Sequence, residues 1–158
     1  MIRDPQRLRD YLAHILEAIE RIEQYVYDMD EIVFLNNKLV QDAVIRNLEI
    51  IGEASNSLEK RYPSFVADHP ELPLSSAYQM RNAVAHGYFK IDFEIIWKTI
   101  HGELPALHKQ IRGILAAIEK GASQGDARKR SSNQNLKPKL LKIRVQSLTV
   151  ILTLQFLP

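Results

Sequence analysis

The run Met80-Arg81-Asn82-Ala83-Val84-Ala85-His86-Gly87-Tyr88-Phe89 holds the most unusual set of polar side chains in this chain. A permanent cation, an amide, an imidazole and a phenol fall within a few residues of one another. The set suits cleavage of an RNA phosphodiester. That reaction takes a proton from the ribose 2′-oxygen, stabilises charge on phosphorus and returns a proton to the leaving oxygen. An imidazole serves as acid or base near neutral pH. A guanidinium offers phosphate a planar fork of donors. Asn82 is placed to orient either group, and the set calls for no metal. Arg81 and His86 stand five residues apart, which on a helix is a rotation of about 140°. Two groups so splayed meet on one substrate only if the helix loosens near Gly87 or a two-fold partner supplies the second copy. A plainer alternative is that His86 complements a helix dipole and Arg81 bridges to a carboxylate such as Glu53.

Other polar residues are weighed against that cluster. Arg46, Asn47 and Glu53 fall in one segment, and Glu53 lies two turns beyond Arg46 on the same helical face. They are expected to line a cleft or to orient Arg81; the alternative is a solvated face with a weak ion pair. His14, His69, His101 and His108 are scattered, and none has a third ligand at metal-binding spacing, so no metal site is expected. Trp97, Tyr11, Tyr25 and Tyr27 read as packing residues. The absence of cysteine excludes disulfides and thiolate chemistry.

Helices must position these groups. Asp4-Pro5 supplies a cap and a first-turn proline. Apolar residues then recur at three- and four-residue steps from Leu8 to Val26. Glu31–Leu35 reads as a short helical turn. A second long helix is expected from Lys38 to about Glu59, ended by Arg61-Tyr62-Pro63. Residues 63–73 carry three prolines and read as a loop. Ser75 or Ser76 is expected to cap a third helix that runs to about His86, with Gly87 as its terminator. Asp92 caps a fourth, which Pro105 should kink or interrupt before the pattern resumes to Ile118. The body is therefore all-α, with four main amphipathic helices that bury their stripes as a bundle.

The net charge of +2 is unevenly spread. Residues 121–158 hold seven Lys/Arg and one acidic residue, which leaves 14 basic (21 less 7) and 18 acidic (19 less 1) side chains for residues 1–120. The body does not attract nucleic acid by bulk charge, so any RNA must be held by a local site. Residues 121–135 read as a Gly/Ser/Asn-rich linker. The last segment alternates at strand spacing, so the C-terminal extension 121–158 is expected to be disordered or strand-like. Neither a signal sequence nor a membrane span is visible, and a cytoplasmic location is the expectation.

Arg81, four residues, then His86-Gly87-Tyr88 matches the R-x4-H-x-Y signature of the HepT-like toxins of the HEPN superfamily. Lys38 to Ala54 resembles that family's second-helix block. Met80-Arg81-Asn82, Tyr88-Phe89, Asp92, Ile96-Trp97 and Leu104-Pro105 resemble its motif and last helix. The resemblance spans about residues 3–118, so residues 1–120 are read as a HepT-like HEPN domain. It implies a four- to five-helix HEPN bundle, a homodimer with the active cleft at its interface, and metal-independent endoribonuclease activity from Arg81 and His86. Asn82, Glu53 and Arg46 are expected to support that pair. It also implies a type VII toxin–antitoxin system, in which an MntA-like minimal nucleotidyltransferase antitoxin silences the toxin by AMPylation of Tyr88; no cofactor is implied. Two features depart from the family. Leu74 stands where relatives often carry tryptophan, and residues after Gly121 have no counterpart. The competing reading is a catalytically inactive helical module that binds a nucleotidyltransferase partner or RNA. A nucleotide-binding sensor is disfavoured, since no Gly-rich phosphate loop is present.

Overall fold

A computed structural model describes residues 4–86 and 91–121. Those residues are mostly helical and contain no strand. Two compact units divide the chain, Met1–Leu115 and Ala116–Pro158. The first holds α1 (Pro5–Val26), α2 (Glu31–Leu35), α3 (Lys38–Arg61), α4 (Pro63–Asp68), α5 (Leu74–His86) and α6 (Phe93–Gly102). A further helix, α7, begins at residue 104 and completes it. Of the second unit, residues 116–121 are described and are helical. The linker and strand-like tail expected beyond Gly121 lie outside the described residues, as do Gly87 and Tyr88.

The long helix α3 is the centre of the unit and packs most extensively on α1 and α5. Leu12, Ile15, Ile19 and Ile22 of α1 and Val44, Leu48, Ile51 and Leu58 of α3 are buried in the core where the two helices pack. These are the apolar stripes that the three- and four-residue spacing marks out. Phe34 of α2 is fully buried. It contacts Trp97 at 5.2 Å and Phe93 at 6.2 Å between ring centroids. Trp97 is thus a packing residue, as its place on the stripe suggests. Gln41 joins α2 to α3. Its side-chain amide donates to the carbonyls of Phe34 (2.9 Å) and Leu35 (3.0 Å) at the C-terminal end of α2.

Caps fix several of the helix starts. Asp4 accepts from the Gln6 amide at 3.2 Å, with Pro5 in the first turn. Asp92 accepts from Glu94 at 3.0 Å and from Ile95 at 3.2 Å. The fourth expected helix is interrupted near Pro105: α6 stops at Gly102, a turn occupies residue 103, and α7 starts at 104. Proline is tolerated there because the first turn of a helix needs no amide donor from it.

Two boundaries differ from the sequence reading. The expected loop 63–73 contains the six-residue helix α4. Pro63 is its first residue, so the proline that ends α3 starts the next helix with its fixed φ. The third expected helix begins at Leu74, ahead of Ser75 and Ser76, so neither serine caps it. Leu74 is almost fully buried, which anchors this start in the core.

Candidate active site

Helix α5 carries Arg81 against α3, and a glycine permits the approach. An ideal Cβ on Gly52 would overlap Arg81 Cβ and lie 2.8 Å from the Ala77 carbonyl oxygen. Both atoms belong to or adjoin the α5 backbone. Only a residue without a side chain lets the two helices come this close. The Arg81 side chain emerges beside Gly52 and is about one-third exposed. Its Nη1 donates to Asn82 Oδ1 at 3.0 Å. Its Nη2 lies 3.7 Å from Glu53 Oε2, a loose ion pair with an exposed carboxylate. Such a pair contributes little to stability.

Arg81 faces an open groove of about 360 Å³. The groove is also lined by Arg46, Glu49 and Glu53 of α3 and by Tyr11 and His14 of α1, over a floor that includes Ile50 and Ala54. Arg46 Nη1 donates to Glu49 Oε2 at 3.3 Å on the exposed face of α3. Each guanidinium in the groove therefore has its own carboxylate. Among the described residues, no group of three or more His, Asp and Glu side chains is placed to hold a metal ion.

The structure brings together Arg81, Asn82, Glu53 and Arg46. It does not bring His86 into that groove within one protomer. His86 is the last residue of α5, is exposed, and points elsewhere around the helix by the rotation its spacing requires. Tyr88 lies outside the described residues. Asn47, grouped with Arg46 by sequence, is buried on the core side of α3 and donates to the Ala43 carbonyl at 2.8 Å. The remaining histidines are dispersed. His108 meets Glu20 at 3.2 Å, and His101 stacks on Trp97 with ring centroids 4.0 Å apart.

His14 and Tyr11 of α1, like Glu49 of α3, are groove residues that sequence reading missed. His14 looks like one of several scattered imidazoles, and Tyr11 like packing. Tyr11 does meet Tyr62 edge-on at 6.4 Å, but it also borders the groove. Their three-residue separation on one face of α1 is the only signal that pairs them. It does not say which helix they will face.

Comparison with known proteins shows the family. The family model described as Ribonuclease HepT-like matches residues 15–114. The chain belongs to that family. It is 41% identical over 99 residues to a protein of Thermococcus cleftensis described as a probable ribonuclease HepT; the match covers 63% of this chain and 87% of the relative. Two proteins of Methanocaldococcus jannaschii are also similar. One, described as a γ-glutamylcyclotransferase and candidate RNase, is 37% identical over 110 residues, covering 70% of this chain and 48% of its own. The other, described as a candidate RNase, is 35% identical over 104 residues, covering 66% and 93%. No solved structure gives a significant match. Among the described residues, no helix is long and apolar enough to cross a membrane.

Proposed function

We propose that this HepT-like chain is a metal-independent endoribonuclease toxin of a type VII toxin–antitoxin system, acting on RNA in the cytoplasm. The observation that carries the reading is Arg81: a guanidinium hydrogen-bonded to Asn82 and paired loosely with Glu53 at the edge of an open groove, in a chain of a ribonuclease family. Arg81 binds the phosphate oxygens and stabilises the charge that builds on them. His86 moves the proton, with Asn82, Glu53 and Arg46 supporting the pair. Because His86 faces away from the Arg81 groove of its own protomer, the working centre is a homodimer in which two copies of α5 line one cleft.

Silencing follows from the same chemistry. An MntA-like nucleotidyltransferase would transfer AMP from ATP to the Tyr88 oxygen and release pyrophosphate. The attached phosphate brings negative charge next to Arg81 and His86 and competes with RNA for them. Incubation with that partner and ATP is expected to add AMP mass to the wild type and not to Tyr88→Phe; equal labelling of both rejects Tyr88 as the acceptor.

The decisive experiment is RNA cleavage by the purified chain in the presence of chelator. Wild type is expected to cut, with Arg81→Ala and His86→Ala slower by about two to four orders of magnitude. A second reading, the inactive interaction module, is favoured by one observation: within a single protomer Arg81 and His86 do not share a groove. Growth arrest on expression separates the two. Arrest by wild type but not by His86→Ala supports the enzyme, and identical behaviour supports the module.

A further inference from the structure

We propose that the groove running from Arg81 to Arg46 between α1 and α3 is a binding subsite for single-stranded RNA flanking the cleaved bond, with His14 and Tyr11 of α1 as its base-contacting residues. This rests on the ribonuclease reading and extends it to side chains outside the R-x4-H motif.

The groove has the length of a strand rather than of a single ion. Its α3 wall runs from Arg46 to Ser57. Eleven steps along a helix rise about 16 Å, which exceeds one nucleotide. Arg46 and Glu53, the partner of Arg81, are separated by two of those turns, so the two guanidiniums lie along the groove and not at one point. Two turns rise about 11 Å, a spacing that suits two phosphates with a further phosphate between them rather than adjacent ones.

The charge pattern points the same way. Arg46 stands 3.3 Å from Glu49, and Arg81 stands 3.7 Å from Glu53. A free phosphate entering here meets as much negative as positive charge. An RNA strand meets it differently, because its phosphates take the guanidiniums while amino groups on its bases donate to the freed carboxylates. The two rings on α1 complete the site. His14 is exposed and Tyr11 half-buried at the groove edge, and both offer faces on which unpaired bases can stack. The bulk charge of residues 1–120 does not supply this attraction, since they hold 18 acidic against 14 basic side chains.

The test is anisotropy of a fluorescent single-stranded RNA across a salt series, read on the full chain. His86→Ala is used with unmodified RNA, and wild type with the 2′-O-methyl form, so that neither is cut. Into each, Arg46→Gln, His14→Ala and, as a control of equal charge, Lys98→Gln on α6 are introduced. Arg46→Gln is expected to weaken binding about tenfold and to reduce the slope of log K against log salt by about 0.7, one phosphate contact on a single strand. His14→Ala should weaken binding about tenfold with the slope unchanged, as a lost stack does. Lys98→Gln should do neither.

Equal effects of Arg46→Gln and Lys98→Gln would show bulk attraction and overturn the subsite. So would unchanged affinity in both groove variants, absence of saturable binding, or a change in dimer mass by light scattering with RNA affinity intact. The two readings fail separately. Cleavage by wild type with KM indifferent to Arg46 and His14 removes the subsite alone. Groove-dependent binding without cleavage removes the ribonuclease alone.

Discussion

The sharpest consequence of the packing is that one methyl group at Gly52 should disable the chain more than it destabilises it. In Gly52→Ala the new Cβ overlaps Arg81 Cβ and comes within 2.8 Å of the Ala77 carbonyl oxygen. Carbon contacts are comfortable at about 3.5–4.0 Å, so α5 must retreat by about 1 Å. Neither atom is the end of a flexible side chain that could turn away. Overpacking of this kind costs about 1–3 kcal/mol. Alanine returns about 1 kcal/mol, because glycine is a poor residue for a helix interior. The net loss is about 0–2 kcal/mol, or a fall in Tm of up to about 8 °C. Activity should fall further, since a 1 Å misplacement of a reacting group costs about a hundredfold in rate. Gly113 supplies the comparison. A Cβ there meets nothing within 4 Å, so Gly113→Ala should gain up to about 1 kcal/mol and leave cleavage unchanged. Thermal unfolding and RNA cleavage of both variants make the assay. If Gly52→Ala gains stability as Gly113→Ala does and still cuts at the wild-type rate, the close approach of α3 and α5 is not what positions Arg81.

Two further outcomes follow from the core and from Tyr62. Phe34→Ala empties a fully buried site between α2 and α6, and denaturant unfolding should show a loss of about 3–5 kcal/mol; a loss under 1 kcal/mol would contradict that packing. Tyr62 is buried, and its hydroxyl donates to the Asp4 carbonyl at 3.1 Å. Tyr62→Phe should therefore cost about 1 kcal/mol near neutral pH. Burial first, and then the negative charge of Asp4, raise the Tyr62 phenol above its ordinary value of 10.0. A raised folded value means that the neutral phenol's contribution is complete below the unfolded value and is lost as pH rises through the folded one. Stability of the wild type should fall above about pH 10, and Tyr62→Phe should fall less steeply; parallel alkaline profiles would remove Tyr62 as the cause.

The helical class, most of the elements and the Arg81–His86 spacing on α5 are legible in the order of residues alone. The stripes on α1, α3 and α6 are periodic, and periodicity depends only on which residues are apolar and how they are spaced. Asp4 and Asp92 are legible as caps because capping is a local bond to the next turn. Pro63 reads on the same local grounds as a helix end followed by a loop, although proline can also begin a helix; the start of α4 is visible only in the fold. The groove is the reverse case. Nothing local links Tyr11 and His14 to Arg46 or to Arg81, because they reside on three helices whose mutual rotation is set by how whole faces pack. Gly52 shows the same division. In sequence it is a weak point in a helix, and only the α5 backbone lying against it reveals why a side chain has no room. Tertiary packing also decided that Arg81 shares its groove with His14 and not with His86, since helical rotation separates neighbours on one helix while packing joins residues far apart in the chain.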